Sequence, residues 1–231
     1  MPAADAPSTT LAPTFRPMPA AYLAEVTDVQ DPDKLARVQV RLLAWDGVGE
    51  HDAPVWARVA SPFAGSSRGG FFIPDVGDEV LVTFVNGDPR FPIVVGGLWN
   101  GSASPPETLS GSSVDRWAIT SKGGSRIAIV EESQPTVTIE TPGGVKATWT
   151  DEGGGKWELS AAGTTITVDS QGVKIQTGGK LSVSASQVEV SAGMVKVDAA
   201  MSTFAGMVKC DILQATTVIG STYTPGAGNV W

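Results

Sequence analysis

Residues 166–197 read ITVDSQGVKIQTGGKLSVSASQVEVSAGMVKV. Apolar pairs separated by one polar residue recur along this stretch: Ile166/Val168, Val173/Ile175, Leu181/Val183, Val188/Val190 and Val195/Val197, at steps of 7, 8, 7 and 7 residues. Alternation at period two belongs to a strand with one buried face. Between the pairs lie small polar residues and turn formers, as in Asp169-Ser170-Gln171-Gly172 and Thr177-Gly178-Gly179-Lys180. A repeat this short, with a glycine-rich corner each time, predicts a solenoid or β-helix rather than a stack of hairpins.

Each rung offers only small or medium inward side chains, so one chain wound this tightly cannot enclose a core. Three chains about a common axis can. The ten paired residues Ile166, Val168, Val173, Ile175, Leu181, Val183, Val188, Val190, Val195 and Val197 are therefore expected to form the core of a homotrimer. Neighbouring strands would come from different chains, which would also hide their edges.

Upstream, Trp117–Leu159 carries the pattern less regularly, with the pairs Ile127/Ile129, Val137/Ile139 and Trp157/Leu159 separated by wider loops. Trp149 and Trp157 predict a broader cross-section there. If Trp117–Gly220 forms about 13 strands, a needle on the order of 60 Å long results. Met201, Phe204, Met207, Ile212 and Leu213 are larger and are expected to plug its axis. Cys210 sits among them and reads as a small buried hydrophobe, and one cysteine permits no disulfide within the chain.

Tyr22–Trp99 reads as five or six short strands. Ala36–Leu42 alternates, with Val38, Val40 and Leu42 inward and Arg37, Gln39 and Arg41 outward. Pro54–Ala60 gives a third strand with Trp56 and Val59. Val80–Val85 and Ile93–Leu98 flank the turn Asn86-Gly87-Asp88-Pro89, and Asp31-Pro32-Asp33 is a second turn. This many strands in about 80 residues suits a small Greek-key barrel of the OB type.

Two blocks then carry a family resemblance: LARVQVRLLAWDG (35–47) and WARVASPFAGSSRGGFFIPDVGDEVLVTFVNGDPRFPIVVGGLWNG (56–101). They resemble the baseplate assembly protein V, or spike OB-fold, family. It comprises the central spikes of contractile phage tails, of type VI secretion, and of extracellular injection systems. The resemblance implies an all-β homotrimer, an N-terminal OB-fold barrel followed by an intertwined triple-stranded β-helix needle. Its subunits would be arranged as a flexible Pro/Ala-rich arm (1–20), the OB-fold domain (21–101), a linker (102–116), the needle (117–220) and a C-terminal tip segment (221–231). The short linker makes a lysozyme domain like that of some phage spikes unexpected, and hub work is expected to fall to a separate protein.

The implied function is that of a spike capping the inner tube and puncturing a target membrane mechanically when the sheath contracts. Implied partners are hub, tube-initiator and baseplate proteins at the barrel end, with the membrane met only transiently. A separate PAAR-like tip protein would sit on the blunt end formed by Tyr223, Pro225, Asn229, Val230 and Trp231. The ending TPGAGNVW favours an extracellular injection system over a phage tail. Two alternatives stand beside this: a phage spike that binds or cleaves glycans, and an OB-fold nucleic-acid binder on a trimerising stalk.

Charge argues against the last. Residues 1–110 hold 7 Lys/Arg against 13 Asp/Glu, and residues 111–231 hold 9 against 11, so neither half is a basic surface. No catalytic group, cofactor or metal site is expected. His51, the single histidine, lies in a polar loop, and no His-x-His motif of the kind that holds iron in some phage spikes follows Gly193. Glu131-Glu132 and Asp151-Glu152 are adjacent loop pairs; Ser61, Ser66 and Ser67 lack a nucleophile elbow; Gly65–Gly70 lacks the Lys-Ser/Thr end of a phosphate loop. With no signal peptide or apolar span, assembly is expected in the cytoplasm, within a particle that can be released.

Overall fold

The computed structural model describes residues 20–48 and 53–222. The first strands are β1 (Tyr22–Asp28), β2 (Arg37–Leu42) and β3 (Val55–Val59). A minimal hairpin of β4 (Ala64–Gly65) and β5 (Arg68–Gly69) follows, then β6 (Glu79–Phe84) and β7 (Pro92–Leu98). The five longer strands close a barrel in the order β1-β2-β3-β7-β6, with β6 returning to β1. All pairings are antiparallel except β3 with β7. This is the strand order and the one parallel contact of an OB-fold.

A barrel of five strands has a narrow interior, and the sequence fills it with small side chains. Ala24, Val26, Val38, Val40, Ala57, Val80, Val82 and Val94 are fully buried, with Phe84 at one end. The alternation expected for Arg37–Leu42 holds for Val38 and Val40, while Leu42 packs from the side. In β3 the inward residue is Ala57. Trp56 instead lies outside beneath the Arg37 guanidinium, 5.8 Å from its ring centre. Tyr22 stacks on Trp45 at 5.2 Å and meets the edge of Phe84, closing the barrel where β1 begins.

The second sheet is built from β8 (Arg116–Thr120), β9 (Arg126–Glu131), β10 (Pro135–Glu140), β11 (Lys146–Thr150), β12 (Lys156–Ala161), β13 (Thr164–Asp169) and β14 (Gly172–Thr177). Each pairs antiparallel with the next in sequence. This corrects two expectations. Residues 166–177 form a hairpin, Ile166 opposite Ile175 and Val168 opposite Val173, and strand neighbours throughout the sheet belong to one chain. The turns are the reason. Ala162 and Gly163, both at positive φ (48° and 76°), make a two-residue connection between Ala161 and Thr164. Ser170-Gln171 does the same between the paired Asp169 and Gly172. Such turns reverse the chain completely, so each strand folds back on its predecessor.

From Lys180 the chain forms a second unit. None of its described residues is in a strand, and all are exposed. Cys210 is among them, contrary to the expectation that it is buried.

Candidate assembly face

The registers of the seven-stranded sheet place its side chains in straight rows across the strands. One row reads Trp117, Ile129, Val137, Trp149, Trp157, Val168, Val173. The next, two residues along each strand and so on the same face, reads Ile119, Ile127, Ile139, Ala147, Leu159, Ile166, Ile175. All fourteen are apolar. At ~4.8 Å per strand the face runs on the order of 29 Å.

The opposite face is mostly polar: Arg116, Val130, Thr136, Thr150 and Lys156 in one row, Arg126, Glu140, Lys146, Ser160, Thr165 and Gln176 in another. Yet it is the better covered of the two. Residues between the barrel and β8 lie on it and are held by charge. Glu107 accepts a hydrogen bond from Arg126 Nε at 2.7 Å and lies 3.8 Å from Arg116 Nη1. Asp115 accepts from Arg116 Nε at 2.9 Å, and its backbone oxygen accepts from Glu131 N at 2.7 Å. Arg116 also reaches Glu132 at 2.6 Å. The Arg116 guanidinium holds the Asp115 carboxyl below the usual carboxylate range, and Asp115 in turn raises Arg116.

Burial is thus inverted relative to hydropathy. Ala128 and Thr138, on the polar face, are 1% and 8% exposed, whereas Trp117 and Ile119 are 50% and 56% exposed. Ten exposed large apolar side chains in two adjoining rows form a contiguous patch of the kind that marks an interaction site. A hollow of about 550 Å³ lies at the tryptophan row, walled by Ile129, Val137, Trp149, Trp157 and Val168 with Glu131, Asp151 and Lys156 at its rim. The Trp157 indole N–H is buried with no hydrogen-bond partner.

Four of the ten residues assigned to a trimer core, Ile166, Val168, Val173 and Ile175, stand in the two rows. The other six, Leu181, Val183, Val188, Val190, Val195 and Val197, lie in the second unit and are exposed. Tyr223, Pro225, Asn229, Val230, Trp231 and His51 fall outside the described residues. Sequence reasoning missed the pairs Trp117/Ile119 and Ala147/Trp149. Their signal was the same period-two alternation, diluted in the second case by an alanine that does not read as core. Among the described residues no three His, Cys, Asp or Glu side chains are grouped to hold a metal, and no helix is long and apolar enough to cross a membrane. A second apolar patch lies on the barrel, where Leu35, Phe63, Phe71 and Phe72 are exposed beside a hollow of about 510 Å³.

Residues 22–99, which span the closed barrel from β1 to β7, match the model of the type VI secretion system/phage-baseplate injector OB domain. The barrel belongs to that family. Among curated relatives, the chain is 43% identical over 79 residues to the type VI secretion system spike protein VgrG4b of Pseudomonas aeruginosa, which is 33% of this chain and 10% of the relative. It is 39% identical over 79 residues to the actin cross-linking toxin VgrG1 of Vibrio cholerae, 33% of this chain and 7% of that protein. A longer match, 30% identical over 127 residues, joins it to spike protein VgrG1c of Pseudomonas aeruginosa, covering 48% of this chain and 17% of the relative. The chain therefore spans only a small part of these relatives' length.

Proposed function

We propose that this injector OB-domain chain is one of three identical subunits of the central spike of a contractile injection particle. The barrel end faces the inner tube and its hub, and the sheet and the segment beyond it form the puncturing needle. The observation that carries this reading is the inverted burial of the second sheet. Ten of the fourteen apolar residues in the two rows are exposed and the other four half-buried, while alanine and threonine on the other face are covered. Water is a poor neighbour for such a face, and two further copies of the same face are its natural cover.

The segment from Lys180 fits the same reading. Its alternating valines have no partner strand among the described residues, and strands from sister copies would supply both the ladder and the core. In this reading hub and baseplate proteins meet the barrel, whose Leu35/Phe71/Phe72 patch is an apolar surface for them, and a separate tip protein is carried by the C-terminal segment. The work is mechanical, a stiff hydrogen-bonded column concentrating sheath force on a small area of membrane. Sedimentation with light scattering of the purified full chain tests the core of the proposal. About three chains per particle is the expected result, and a folded single chain at micromolar concentration overturns it.

A further inference from the structure

We propose that Trp149 of each copy seats on Ala147 of the next, locking the register of the three-copy assembly at β11. This rests on the trimer reading above and adds a specific contact to it. Under three-fold cyclic symmetry every interface is heterologous, so one flank of the apolar face meets the other flank of the neighbouring copy. The two flanks here are the two rows. With the axis running across the strands, equal heights meet: a residue of β11 in one row faces a residue of β11 in the other row of the next copy.

The rows are unequal in bulk at one height above all. The second row presents a branched aliphatic side chain on every strand except β11, where it presents Ala147 between Ile139 and Leu159. On the same strand the first row presents Trp149, still 41% exposed. The largest side chain and the smallest thus stand at one level on opposite flanks. An indole entering the dip at Ala147 interdigitates with its neighbours, and packing to interior density favours such large-to-small pairing. Trp117 and Trp157 share their levels with the branched Ile119 and Leu159, so β11 is the one tryptophan level whose other flank offers a seat, and a leucine at 147 would fill it.

Ala147 and Trp149 are also two residues apart in one strand, so the experiment must separate contacts between copies from contacts within one. Full-length A147L and W149L are refolded separately and together, and the assemblies are counted by native mass spectrometry. A147L alone is expected to half-dissociate at a protein concentration at least about tenfold higher than the unaltered chain. In the mixture, a W149L copy placed before an A147L copy relieves the clash. Trimers made only of A147L should therefore be depleted at least about threefold below their statistical share. A statistical distribution overturns the contact, because a clash within the chain is indifferent to its neighbours. Should A147L not refold, Trp149→benzoylphenylalanine provides the second readout. Photocrosslinks to residues 146–150 of another copy are expected; crosslinks confined to one chain overturn the proposal. An unaltered chain that is monomeric throughout overturns the trimer reading itself.

Discussion

Asp31 organises more of the barrel than any other polar side chain. Its carboxylate accepts hydrogen bonds from the backbone N–H groups of Asp33 at 3.1 Å, Leu35 at 2.8 Å and Arg37 at 3.2 Å, and from Arg37 Nη2 at 2.7 Å. Those bonds, the Arg37 side chain first, hold its pKa well below the ordinary value. The sign follows. A carboxyl depressed in the folded state adds stability that is fully present above the unfolded pKa of about 3.9 and is lost as pH falls through the folded value. D31N should therefore lower the thermal midpoint at pH 7 by several degrees, and the gap from the unaltered protein should narrow below about pH 4. Calorimetry across pH 2–7 reads both; a gap independent of pH refutes the assignment. The sequence made Asp31 legible as a turn residue. It did not reveal Ala57 as the inward side chain of β3, because Trp56 beside it is far more apolar by type, and only its seat under Arg37 shows that it faces out.

At the scale of elements, the hairpins of the second sheet explain what could and could not be read. Alternation along Ile166–Val168 and Val173–Ile175 announced strands and the face they share. The corner between them did not announce its angle: Asp169-Ser170-Gln171-Gly172 would serve a β-helix corner or a tight reversal alike, and strand pairing decides which. The strap before β8 was equally silent. Its serines, prolines and glycines read as a linker, and Glu107 acquires meaning only when the side chains of Arg116 and Arg126, from opposite ends of the β8–β9 pair, converge on it over the polar face. Losing that carboxylate leaves two guanidinium groups with one anchor fewer over the buried Ala128 and Thr138. E107Q should raise amide exchange at residues 107–115 and in β8 by at least about tenfold, leaving β1–β7 unchanged, because the barrel core shares no contact with the strap's ion pairs. Uniform exchange across the chain would show that Glu107 holds nothing in place.

On the scale of the whole molecule, the distribution of apolar surface departs from that of a finished monomer. The barrel seals its core valines completely, while ten of the fourteen residues in the second sheet's apolar rows and all the described residues from Lys180 are exposed. The proposed assembly accounts for this distribution, and substitution on the open face tests it. Ile139 stands in the middle of the second row at 44% exposure, so I139K costs a lone chain almost nothing and even improves its solubility. In a cyclic assembly the same change brings three ammonium groups to one level near the axis, without counter-charge and away from water, and no rearrangement of the row accommodates them. I139K is therefore expected to sediment as single chains at concentrations where the unaltered protein forms three-chain particles. The barrel's near-ultraviolet signal and its own thermal transition should stay in place, since β1–β7 and their core do not touch this row. Full trimers with an unchanged midpoint would mean that the apolar rows face water in the working particle, and the partner that explains their sequence would have to be sought elsewhere.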